Sequence, residues 1–144
     1  MKLLFPYESE KSHIFGTVKR PIVNVSFWSK KRKRWFNYMM IVDTGADYTL
    51  LPYSASEDLD VVLEKEAKEF RTFGIGGSET VYLIQNFKIK IGKIDLAIPV
   101  GFLSRDDIPP LLGRQECLNK FNLLFSNFVT SFDSVINQAT KRKK

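Results

Sequence analysis

The residues best placed to do chemistry are Asp43-Thr44-Gly45-Ala46. They follow the apolar run Tyr38-Met39-Met40-Ile41-Val42 and precede Leu50-Leu51, so a buried strand delivers a carboxylate into a tight turn. A second extended segment then leaves it. An unpaired carboxylate is costly to bury, and one flanked by this much apolar sequence makes poor core filler. Thr44 can hydrogen-bond nearby backbone, and Gly45 permits close approach or positive φ. The plain alternative is an ordinary strand-to-loop junction, because short motifs recur by chance.

Elimination narrows the chemistry. The single histidine, His13, sits in a stretch broken by Pro6 and Gly16, so any Ser-His-Asp or Cys-His arrangement would depend on it alone. One histidine and one cysteine, Cys117, do not furnish a zinc site, and neither metal nor cofactor is expected. The cluster Gly74-Ile75-Gly76-Gly77 lacks the Lys-Ser/Thr ending and following helix of a phosphate loop. A flexible hairpin tip accounts for it better. Carboxylate chemistry remains. One carboxylate can act as a base, but cleaving an amide also needs an acid. Two carboxylates about 3 Å apart supply both, since like charges that close share one proton. The chain carries one Asp-Thr-Gly, and a symmetric homodimer would bring a second Asp43 to the axis.

The elements that must position these residues read as short strands. Residues 1–20 form an irregular leader. From Pro21, Val23, Val25 and Phe27 alternate with Asn24 and Ser26. The run Lys30-Lys31-Arg32-Lys33-Arg34 is an exposed hairpin turn, and residues 35–42 return as a more fully buried strand ending at Asp43. Residues 52–59 form a short helix opened by Pro52. Residues 61–70 are ambiguous: Leu63, Ala67 and Phe70 have helical spacing, but extended structure is preferred. Residues 73–77 are a hairpin tip, 80–91 a long strand, and Gly92-Lys93 a turn. Ile94, Leu96, Ile98 and Val100 make the next strand face. After Pro109-Pro110, residues 115–120 form a helix burying Cys117, Leu118 and Phe121. Strands at 121–125 and 128–132 close an all-β sheet or barrel with one or two short helices.

At 144 residues, 44% hydrophobic and 13% aromatic, the chain reads as one globular domain. Its net charge of +6 gathers at residues 30–34 and 141–144. Without an aromatic platform or nucleic-acid motif these read as a solvated turn and tail, so neither nucleic acid nor membrane is an expected partner. A lone cysteine excludes an intrachain disulfide and fits a reducing compartment. The opening Met1-Lys2-Leu3-Leu4-Phe5-Pro6 is too short for a signal-peptide core, and no run reaches membrane-spanning length. A cytoplasmic location is expected.

Arg20-Pro21-Ile22-Val23, Ile41-Val42-Asp43-Thr44-Gly45-Ala46-Asp47, Phe73-Gly74-Ile75-Gly76-Gly77 and Leu111-Leu112-Gly113-Arg114 stand in the order and rough spacing of one family. Over residues 20–125 the chain resembles the retropepsins, the retroviral aspartic proteases and their single-domain relatives. The length of residues 53–70 is closer to prokaryotic members. The end from Phe128 onward does not match the short C-terminal strand of viral enzymes.

The resemblance implies a closed β-barrel of retropepsin type, active as a homodimer, over residues 20–132. Residues 1–19 would be a leader and 133–144 a polar basic tail. It implies an aspartic endopeptidase acting on peptides or proteins through a water activated by two Asp43 carboxylates, one per subunit. The alternative is a dimeric binding or regulatory module of the same fold that cleaves nothing. By position, Asp43 resembles the catalytic aspartate, braced by Thr44 and Gly45. Gly74, Ile75, Gly76 and Gly77 resemble a flap tip over substrate, and Asp47 lies beside the substrate. Leu111, Leu112 and Gly113 resemble the segment packed behind the active-site loop. Arg114 would meet Asp47 within a subunit and Arg20 would reach it from the partner, in a cluster expected to be partly buried. Leu50, Ile75 and Val100 are expected pocket walls.

Overall fold

The computed structural model describes residues 2–74 and 77–134. Its centre is the antiparallel pair β4 (Ile22–Ser29) and β5 (Arg34–Val42), in register from Ile22 against Ile41 to Ser29 against Arg34. Val23, Val25 and Phe27 alternate inward and are buried, as the period-2 pattern predicts. The basic residues 30–33 form the connecting turn. Strand β5 is less buried than expected: Met40 and Val42 are buried, but Trp35, Phe36 and Tyr38 are half-buried and Met39 exposed. Its outer face meets solvent.

Downstream come β6 (Thr49–Leu51), α1 (Tyr53–Asp58), α2 (Leu63–Glu66), β7 (Lys68–Gly74), β8 (Gly77–Ile91), β9 (Ile94–Leu103) and β10 (Leu111–Leu112). The sheet runs β4-β5-β10-β6-β9-β8-β7, and β4 also pairs with β8 from Val25 against Ile91 to Phe27 against Ile89. That second pairing closes the strands into a hydrogen-bonded ring. Phe27, Met40, Leu51, Ile89, Ile91, Ile98, Phe102 and Leu112 fill it and are fully buried. Each such side chain contributes roughly 1.5–3 kcal/mol of transfer free energy.

Three local expectations are corrected. The leader is not irregular. Lys2–Pro6 (β1) joins β11 (Phe121–Ser126) and β12 (Val129–Ser134) in a second sheet, order β1-β12-β11, while β2 (Glu8–Ser12) and β3 (Gly16–Arg20) form a hairpin. The reason is alternation: Leu3 and Phe5 face Phe132, with Phe5 edge-on to it at 5.4 Å. Pro6 ends the strand, where a missing N–H costs little. Residues 61–70 hold both candidate states in sequence. Buried Leu63 anchors α2, whose Glu66 carboxylate accepts the Val62 N–H at 2.6 Å, and extension resumes at Lys68. The helix foreseen over 115–120 is a turn followed by one 3₁₀ turn (Leu118–Lys120), because Glu116 takes a left-handed φ of 52°. Cys117, Leu118 and Phe121 are buried all the same.

No described helix is long and apolar enough to cross a membrane. The basic tail from residue 135 lies outside the described residues.

Candidate active site

Strand β5 ends at Val42 and hands Asp43 to a turn that its own backbone closes. The Asp43 N–H donates to the Leu112 carbonyl at 3.0 Å, and the Ala46 N–H donates to the Asp43 carbonyl at 3.1 Å. Gly45 N–H donates to Asp43 Oδ1 at 3.0 Å, which orients the carboxylate. A Cβ on Gly45 would sit 3.3 Å from that same oxygen, so the turn has little room for a side chain. Asp43 is half-buried, and Thr44 and Gly45 are exposed.

Behind the turn, β10 is inserted between two strands. It runs parallel to β5, with Leu112 against Val42, and antiparallel to β6, with Leu111 against Leu50. Gly113 follows directly, and its N–H donates to the buried Thr49 Oγ1 at 3.1 Å. The Cys117 thiol lies against the same threonine. Burial pushes its pKa up to about 12, with the Thr49 hydrogen bond working in the other direction. Leu112 and Gly113 are thus tied to the two ends of the loop, Asp43 and Thr49.

Arg114 ties the other side of the turn. Its backbone N–H donates to the Ala46 carbonyl at 3.0 Å, and Gln115 N–H donates to the Asp47 carbonyl at 2.8 Å. Its guanidinium pairs with the Asp47 carboxylate, both side chains being exposed in the single chain. Asp47 stands on the loop ahead of β6, not on a strand. Arg20 lies elsewhere in the chain, bridging to Glu10 at 2.8 Å across the β2–β3 hairpin. Within one chain, then, Arg114 and Asp47 come together and Arg20 does not join them.

A cleft of about 440 Å³ opens beside this turn. Ala46, Asp47, Leu50 and Leu111 line one side, and Phe73, Glu79 and Val81 of the β7–β8 hairpin line the other. Leu50 is a wall as expected. Val100 is not, because it is fully buried in the ring. Gly74 and Gly77 pair at the hairpin's end, while Ile75 and Gly76 of the expected tip lie outside the described residues.

The sequence reading missed Tyr48, Phe73, Glu79, Val81 and Arg105 as lining residues. Alternation around the glycines could have found Phe73, Glu79 and Val81. Arg105, in the loop before β10, carried no signal. It bridges to Glu79 at 3.4 Å and pairs with Asp107, whose carboxyl it holds below the usual range. No group of three or more His, Cys, Asp or Glu placed to hold a metal occurs among the described residues.

The model of the family described as aspartyl protease matches residues 37–115, more than half of the chain. The chain belongs to the aspartyl protease family. The fold is retropepsin-like: a retropepsin-like aspartic protease from Rickettsia conorii superposes with a TM-score of 0.63 at 16% identity, covering 91% of this chain and 98% of that one. No curated protein matches.

Proposed function

We propose that the chain is an aspartic endopeptidase that acts as a homodimer. The observation that carries this reading is the Asp43 carboxylate, fixed by the Gly45 N–H and placed on an exposed turn next to a peptide-sized cleft. One chain supplies half of a catalytic pair, and exposure of Thr44 and Gly45 leaves that turn free to meet its copy. In the dimer the two Asp43 carboxylates share one proton. The ionised member takes a proton from water, which attacks the substrate carbonyl carbon, while the neutral member donates its proton to the carbonyl oxygen. The resulting diol then collapses, with a proton passing to the departing amine.

The β7–β8 hairpin covers the cleft. Phe73 and Val81 supply apolar surface over substrate, and closure excludes water. Asp47 lies at the rim, beside the bound peptide. The test is digestion of a peptide library by the parent and by Asp43→Asn. Cleavage by the parent, blocked by a statine-type transition-state mimic and absent from a folded Asp43→Asn, supports the reading. A parent that dimerises and cleaves nothing identifies a binding module.

A further inference from the structure

The basic turn at residues 30–33 stands beside an aromatic platform that the fold assembles. Phe27 and Ser29 face inward, so Trp28 between them faces out, and Trp35 lies directly across from it on β5. The two indoles meet edge to face at 5.2 Å. Strand β8 brings lysines to the same surface: Lys88 Nζ lies 5.4 Å from each indole centroid, and Lys90 Nζ lies 5.0 Å from Trp35.

The turn beside the indoles is tied in place. Lys33 N–H donates to the Ser29 carbonyl at 2.8 Å, and Arg32 N–H donates to Ser29 Oγ at 3.1 Å. Ser29 Oγ in turn donates to the Leu59 carbonyl at 2.7 Å. Trp28, Lys30, Lys31 and Lys88 converge on one crevice, with Gln85 and Asn86 on its rim. That rim is a β-bulge in β8, where Asn86 takes a left-handed φ of 56° and is exposed. The carboxylates nearby are partly engaged: Glu66 with Lys31 at 3.3 Å and Asp95 with Lys90 at 3.8 Å. Lys30, Lys33 and Lys88 have no carboxylate partner among the described residues, and Asp60 on the crevice wall is likewise outside an ion pair.

We propose that this outer face of the β4–β5 hairpin binds single-stranded nucleic acid. Phosphates meet Lys30, Lys33 and Lys88, and unpaired bases stack on Trp28 and Trp35, the combination that single-strand binding requires. Base pairing hides the ring faces that stacking needs, so duplex is disfavoured. An anionic membrane is the weaker fit: the tip of the hairpin is wholly charged and the indoles lie behind it on the sheet face. Trp35 stands eight residues before Asp43 on an extended strand, about 26 Å away, so binding leaves the cleft open and is independent of the peptidase reading.

Both tryptophans of the chain are in the patch, so intrinsic fluorescence reports on it directly. Titration with a short oligothymidylate at low salt is expected to quench that fluorescence, with log K against log salt falling at a slope of about −2 for three phosphates. Lys30→Gln with Lys33→Gln should weaken binding about tenfold at low salt and bring the slope to about −0.7. Lys88→Gln, at an exposed position, should weaken it without changing the melting temperature. Asp60→Asn should tighten it, and asparagine suits the left-handed φ of 54° at that position. The proposal is overturned if the oligonucleotide leaves the fluorescence unchanged, or if binding survives loss of all three lysines. It is equally overturned if the chain sediments with phosphatidylserine vesicles but does not retain the oligonucleotide.

Discussion

Gly113 lies against the backbone of Tyr48 so closely that a Cβ on it would fall 2.3 Å from the Tyr48 carbonyl carbon and 2.4 Å from its oxygen. Both chains at that contact are committed. Leu112 holds Asp43 through its carbonyl, and Thr49 holds Gly113 through its hydroxyl. Gly113→Ala must therefore push apart the two segments that place the Asp43 turn. It should destabilise by about 3 kcal/mol, at the upper end of overpacking effects, and remove activity. Urea unfolding checks the first outcome and peptide digestion the second.

Arg114 and Asp47 form an exposed pair in the single chain, and burial of the cluster is expected only at the dimer edge. Arg114→Ala should cost the isolated chain under about 1 kcal/mol. Arg20 is engaged with Glu10, and reaching a partner's Asp47 would mean leaving that bridge. If it does so, Arg20→Ala raises the dimer dissociation constant at low salt. A constant equal to the parent's, measured by sedimentation, takes Arg20 out of the interface.

Gly77 opens β8 with φ at 111°, a region L side chains rarely adopt, yet a Cβ there would meet nothing within 4 Å. Gly77→Ala should thus strain the hairpin end without disturbing the core, at about 1 kcal/mol. A loss of that size leaves a stable domain folded. A large fall in turnover with an almost unchanged melting temperature would assign the hairpin to closure over substrate. Parallel loss of both would make it structural.

Stability should fall in alkaline solution. Burial keeps the Cys117 thiol protonated up to about 12 in the folded chain, against 9.0 for the ordinary group. Above 9.0 the unfolded chain releases this proton and the folded chain keeps it. The contribution is therefore complete below 9.0 and is lost as pH rises toward 12. Tyr38, raised by burial and by its hydrogen bond to Asp58, adds a slope of the same sign. Cys117→Ala should flatten the decline seen by denaturant unfolding across that window, apart from a constant offset for the lost thiol.

Much of the ring was legible because its strands alternate cleanly: Val23, Val25 and Phe27 could face only one way, and the four motifs fell in their expected order. The leader was not legible, because β1 gains its partner more than a hundred residues later and five residues with a terminal proline give a weak local signal. Glu116 hid its left-handed φ, since nothing in a glutamate announces one. The turn of Asp43 was read correctly as a turn, but the oxygen that Gly45 engages, the wedge of Gly113 and the part played by Arg105 are matters of tertiary contact. The aromatic platform went unseen for a related reason. Trp28 and Trp35 meet across a hairpin, and the lysines that join them come from a strand more than fifty residues away.

The pairing of β1 with β12 also governs the order in which the molecule can be assembled. Lys2–Pro6 precedes every other described strand in the chain, yet among the described residues its strand partner is Val129–Ser134. The ring can close through β4 and β8 long before that partner exists. Until then Leu3 and Phe5 have no sheet to join, and closing so long a loop is a slow, late event. The nascent chain therefore passes through a stage with a finished ring and a loose, apolar first strand, which is the form most exposed to aggregation.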